Sequence, residues 1–190
     1  MNGNEQNFLE DFEYPDHIYA TFMQRVWGSV IDMLVLSPIV ILNMFNNNYW
    51  KSLPLMFIVG IIGIVYKPLL EFKYGATVGK MAMKISVLNY EFQKIQLSHS
   101  LMRNIFHILP GIYSLIVAYL VFQMPEFATT RSLDGYSKLS SSIIDMNFYS
   151  VAISIVYITD IIFLFSDSKR RTLHDRIGQT FVVRKNSPTT

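Results

Sequence analysis

Apolar residues gather into four long runs, 26–42, 53–70, 105–124 and 146–165, separated by polar stretches. Each approaches the ~20 residues that cross a ~30 Å hydrocarbon core. The pattern predicts membrane helices over about 22–42, 53–70, 101–124 and 143–165. Their flanks carry helix signals. Thr21-x-x-Gln24 has the spacing of a capping box ahead of the first run, and Ser142-x-x-Asp145 ahead of the fourth. Pro54 suits the first turn of the second helix, and Pro110-Gly111 predicts a kink inside the third. Between the second and third runs, "MKISVLNYEFQKIQLS" alternates polar and apolar residues around a turn at Asn89-Tyr90-Glu91. That alternation marks a hairpin, and "QTFVVRK" near the end is another β-branched run. A small sheet joining 84–88, 94–97 and 180–184 is expected. The fold class is therefore an all-α membrane protein of four transmembrane helices with a small cytoplasmic β element.

Charge fixes the expected orientation. The segment 71–104 carries Lys73, Lys80, Lys84, Lys94 and Arg103, and the tail carries Lys169, Arg170, Arg171, Arg176, Arg184 and Lys185. The opposite loops, 43–52 and 125–145, hold only Lys51, Arg131 and Lys138. Lys and Arg concentrate on the cytoplasmic side of membrane proteins, so both termini are expected in the cytoplasm. The first residues hold five acids (Glu5, Glu10, Asp11, Glu13, Asp16) and no base. A secretory signal opens with a basic region, so the first helix is expected to remain as an uncleaved anchor. Three segments follow: an acidic stretch over 1–20, the membrane domain over 21–185 with its cytoplasmic loop 71–100, and a tail over 186–190.

Composition narrows the function classes. Hydrophobic residues make up 51% of the chain and charged ones 16%, against about 25% charged in soluble domains. The absence of cysteine excludes disulfides, thiol nucleophiles and thiolate metal sites. A net charge of +2 is too small for a nucleic-acid partner. "YGATVGKMA" fails as a phosphate loop, because three residues rather than four separate its glycines and Met81 follows Lys80. It is expected to be a tight turn leaving the membrane, with Lys80 snorkelling. His17, His99, His107 and His174 have no metal-ligand spacing. No metal, cofactor or enzymatic activity is expected.

What remains is a set of charges inside the apolar runs. At ~1.5 Å per residue, Asp32 lies about 10 Å beyond Arg25 and on nearly the same helix face. Asp160 lies about 8 Å before the end of its run, and Lys67 and His107 each about 5–6 Å inside theirs. All fall in the inner third of the bilayer. Ionisable groups at such depth face a bundle interior or a polar cavity and pair with one another. Arg25, Lys67 and Arg103 are expected against Asp32 and Asp160, with His107 a packing residue or relay. Three readings stay open: an ion-pair network that only fixes helix packing, an inward-facing cavity that binds or relays an ion or proton, and a site for a lipid headgroup or a partner protein.

Arg25-x-x-Gly28-x-x-x-Asp32 resembles the first-helix signature of the RDD family of bacterial membrane proteins, named for one Arg and two Asp. The likeness continues through Gly75-Ala76-Thr77-Val78-Gly79-Lys80, Leu101-Met102-Arg103-Asn104 and the stretch from Arg170 to Thr180, covering about 18–185. The hairpin departs from the family pattern in having no Gly at its turn. The resemblance implies that the Arg is Arg25, the first Asp is Asp32 and the second is Asp175, with Asp160 the alternative. Asp175 also sits in Thr172-x-x-Asp175, a capping-box spacing. The resemblance further implies a role in transport without an established ligand.

The expectation is a multi-pass protein of the bacterial inner membrane that moves a small solute or ion, with proton coupling through an inner-leaflet Arg/Asp cluster. Asp32 is its exchangeable carboxylate and Arg25 the positioning cation, with Asp160, Asp175 and His107 participating. Its partners are the lipid bilayer, the solute and a second copy of the chain. The alternative is a non-catalytic scaffold or accessory subunit whose buried ion pairs only fix helix packing.

Overall fold

The computed structural model describes residues 19–143 and 146–184. Helix α1, Phe22–Phe45, opens with the expected capping box: Gln24 N–H donates to Thr21 Oγ1 at 3.3 Å and Thr21 N–H to Gln24 Oε1 at 3.0 Å. It runs on as a π-helical turn, Asn46–Trp50. Helix α2, Leu53–Tyr74, starts at Ser52 with Pro54 in its first turn. A short α3, Val78–Ala82, leads to strand β1, Ile85–Asn89. Helices α4, Leu97–Arg103, and α5, Ile105–Phe122, meet at Asn104. Helix α5 continues through Pro110. After α6, Leu133–Ile143, and α7, Met146–Ser166, come a short α8, Leu173–Ile177, and strand β2, Thr180–Arg184.

Among the described residues, three helices are long and apolar enough to cross a membrane: Phe22–Trp50, Leu53–Tyr74 and Ile105–Phe122. Helix α7 has 21 residues, and its stretch Ile153–Ser166 is apolar. Met33, Leu34, Ile58 and Leu109 are exposed on the outer faces, as residues solvated by lipid are. The capping box expected at Ser142 falls partly on Ile144 and Asp145, outside the described residues, as does the acidic stretch before Tyr19.

The segment 125–145, expected as a loop, is partly helical. Tyr136, Leu139 and Ile143 of α6 recur at helical spacing and pack on Val117, Val121 and Phe127. Across this end Lys51 donates to the Phe127 carbonyl and, at 2.6 Å, to that of Ala128. A polar average over the segment hides that apolar stripe.

The sheet differs from the expected one. β1 and β2 pair antiparallel with Ile85 opposite Arg184, Val87 opposite Val182 and Asn89 opposite Thr180. The expected third strand is a single bridge, Lys94 to Leu88. Ile95 is buried with Ile85, Val87 and Val182, but Gln96 caps α4 and turns the chain away. Phe92 takes a left-handed φ of 58° where no glycine is present, while the Asn89 side chain accepts from Glu91 N–H and Gln93 N–H. On the other side of β2, Tyr19 bridges Val183 and Ala20 N–H donates to the Val182 carbonyl at 2.8 Å. The residues entering α1 and the tail thus share one small sheet.

Candidate functional site

Asp175 sits in the first turn of α8, fully buried. Its Oδ2 accepts from Thr172 N–H at 3.0 Å, the expected capping contact, and from Arg25 Nη1 at 2.7 Å. Its Oδ1 accepts from Arg103 Nη1. Arg103 continues the chain of charges, with Nη1 donating to Thr180 Oγ1 at 2.8 Å and Nε 3.3 Å from Glu71 Oε2. Glu71 also takes Lys80 Nζ, and Asn104 Nδ2 at 2.8 Å. A continuous network Arg25–Asp175–Arg103–Glu71–Lys80 therefore ties α1, α8, α4, α2 and α3 together. Gly178 permits the closest approach within it, since a Cβ there would lie 2.6 Å from Arg103 Cβ.

Burial works to raise the Asp175 pKa, but the Arg103 and Arg25 guanidiniums outweigh it and hold the carboxyl well below the usual carboxylate range. Burial likewise opposes the Arg103 charge, and Asp175 and Glu71 more than offset it. Lys80 goes the other way: burial lowers its pKa despite Glu71.

Asp32 is nearly as buried, with different partners. Oδ1 accepts from Tyr66 Oη at 2.9 Å and Gly79 N–H at 2.8 Å, and Oδ2 accepts from Thr77 Oγ1 at 2.6 Å. Among the described residues it makes no ion pair, and the expected pairing with Arg25 does not form. The physical reason is the packing of the α2–α3 loop onto α1. Thr77 caps α3, and Gly79 lies so close to α1 that a Cβ on it would be 1.9 Å from the Gly28 carbonyl oxygen. That approach puts neutral donors around the carboxylate before any cation reaches it. It also explains the spacing of Gly28 and Asp32 on one helix and Thr77 and Gly79 on the other. Lys80, expected to snorkel, turns inward to Glu71 instead.

Among the described residues Asp160 pairs with no Lys or Arg either; its carboxylate faces His174 Nδ1 and accepts from His174 N–H at 3.3 Å. His107 Nε2 lies 3.1 Å from the Gly63 carbonyl, joining α5 to α2. Lys67 makes no ion pair or hydrogen bond among the described residues. Yet Arg25, Asp32, Lys67, Arg103, His107 and Asp160 all line one cavity of about 200 Å³. Asp175 is buried behind it. The charges converge as their common depth predicts, with different partners.

A family model for the RDD family matches residues 19–179. The chain belongs to the RDD family. No curated protein and no solved structure matches it. In this RDD protein, Arg25 holds Asp175, one of the two candidates for the second aspartate, while Asp160 faces His174. Glu71, Lys80, Tyr66, Thr77, Asn104 and His174 belong to the same site and were not foreseen there. Glu71 had a signal, four residues after Lys67 and so on the same helix face.

Proposed function

We propose that the protein crosses the bacterial inner membrane four times with both termini in the cytoplasm, and that its cavity receives a small charged solute or ion during transport. The observation that carries this reading is the cavity of about 200 Å³ between the membrane helices, lined by several paired charges and by Lys67. Lys67 lacks a partner there. Asp160 and His174 keep side-chain exposures of 16% and 21%, so this carboxylate and imidazole are reachable in a way that Asp32 and Asp175 are not. Their mutual contact and their place on the cavity wall support assigning proton coupling to Asp160 and His174, and Asp32 serves to hold the α2–α3 loop.

Proton and alkali-cation flux in proteoliposomes tests this. Asp160→Asn is expected to insert and fold like the wild type and to lose flux. Wild-type flux in a well-folded Asp160→Asn protein at every pH would exclude the mechanism. The scaffold reading has its own support in the paired network from Arg25 to Lys80. It prevails if wild-type proteoliposomes carry no flux.

A further inference from the structure

The cavity does not end at its charged walls. Phe106, Tyr157 and His174 line it and also line a second space of about 120 Å³ between α5 and α7, completed by Pro110, Ile153 and Val156. A polar chamber thus continues into an apolar slot. The slot lies between helices whose flanking residues, Leu109 and Ile112 on α5 and Ile155 on α7, are exposed where lipid would lie. Among the described residues α7 packs chiefly on α8, so no close helix contact seals the slot from the side.

We infer that cavity and slot together receive the phosphate and part of one acyl chain of an anionic phospholipid of the inner leaflet, with the phosphate against Lys67 and Arg25 and the chain entering between α5 and α7. Lys67 is a membrane-helix cation with no partner among the described residues. It lies three residues before the end of the apolar run at Leu70, about 5 Å along the axis, within reach of the headgroup level for a lysine side chain. Arg25 keeps its Nε–H buried without a hydrogen-bond partner among the described residues. The acids of the cavity are otherwise engaged: Glu71 by Lys80 and Arg103, Asp160 by His174, and Asp32 by its three neutral donors. Basic pockets between membrane helices on the cytoplasmic side are where anionic headgroups bind. A free anion would use the chamber and leave the slot unexplained, whereas a lipid accounts for both. The site stands whether or not the cavity conducts ions.

Native mass spectrometry of the full chain, purified in detergent and offered phosphatidylglycerol, phosphatidylcholine or glycerol 3-phosphate, tests this. One phosphatidylglycerol is expected to be retained at least tenfold over phosphatidylcholine, and glycerol 3-phosphate is expected neither to bind nor to compete. Lys67→Met breaks no ion pair and is expected to reduce the preference to near unity. Val156→Trp, which fills the slot, is expected to lose both lipids. If that variant does not fold, the comparison of phosphatidylglycerol with glycerol 3-phosphate on the wild type decides the acyl contribution alone. Equal retention of the two lipids, an unchanged preference in Lys67→Met, or competition by glycerol 3-phosphate would each overturn the inference. None of those results bears on flux.

Discussion

Replacing Asp175 by Asn keeps the side chain's size and leaves an oxygen to accept from Thr172 N–H, so the helix cap survives. What goes is the charge between two arginines. Breaking a buried ion pair by removing one partner typically costs ~3–5 kcal/mol, because the remaining charge is left uncompensated. Here the remaining charges keep other acceptors: Arg25 Nη2 donates to the Arg170 carbonyl at 2.8 Å, and Arg103 has Glu71 and Thr180. The expected loss is therefore at the lower end, about 3 kcal/mol. On the scaling for soluble chains of this size that is roughly 6–12 °C in unfolding midpoint. Thermal unfolding in a mild detergent at neutral pH measures it. Asp134→Asn is the control, since its bond to Lys138 is 76% exposed on both sides, and its midpoint should not move. The sign of the pH dependence follows from the lowered pKa of Asp175. Its stabilisation is fully present above the unfolded carboxylate value of about 4 and is lost as pH falls toward the folded value. Wild type should therefore lose midpoint below about pH 4, and Asp175→Asn should lose less over the same range. A midpoint for Asp175→Asn equal to that of wild type at neutral pH would refute the account of the network.

Gly79→Ala forces a Cβ against the Gly28 carbonyl and should cost about 3 kcal/mol, the upper end for overpacking; a near-wild-type midpoint would show that α1 and α3 can part freely. Asp32→Asn leaves one carboxamide oxygen for three donors and should cost about 2–3 kcal/mol, from charge-assisted bonds worth ~1.5–3 kcal/mol each; chemical unfolding measures it, and a loss of flux with full stability would return the carrier role to Asp32. Reporter fusions at Asn47, Glu91, Gly135 and Thr190 should read outside, inside, outside and inside, and an outside reading at Thr190 would mean that a crossing is miscounted.

Convergence was legible in the sequence; partnership was not. Counting residues from the ends of the apolar runs places Arg25, Asp32, Lys67, His107 and Asp160 at one level, and they line one cavity. Which charge meets which depends on contacts between segments far apart, such as the 150 residues between Arg25 and Asp175. No local rule supplies that. Glu71 was lost to a boundary: the apolar run stops at Leu70, but the helix continues to Tyr74 and ends at Gly75 in a left-handed conformation. Capping boxes at Thr21 and Thr172 were legible because the interaction spans three residues. The third strand failed because a local signal was overlooked. The alternation buried Ile95 correctly, but Gln96 caps α4 and ends the pairing after the Lys94–Leu88 bridge, while Tyr19, remote in sequence, bridges the far edge of β2.

Arg25 and Asp32 share a helix face, and a bond between them would have neutralised both within α1. The structure spends them separately. Arg25 reaches the buried start of α8, so the tail that carries β2 is fastened to the first helix. Asp32 reaches the turn after α2, so the Thr77–Gly79 segment is fastened to the same helix further along. A pair with each other would join nothing, whereas each used alone closes a junction between elements that the chain order leaves apart. Those junctions explain why an apolar helix tolerates two buried charges where one unpaired is already costly. They also hold the walls of the cavity in place around Lys67, the cation left without a partner among the described residues. The signature charges are the frame, and the cation they surround is where a ligand's charge is to be sought.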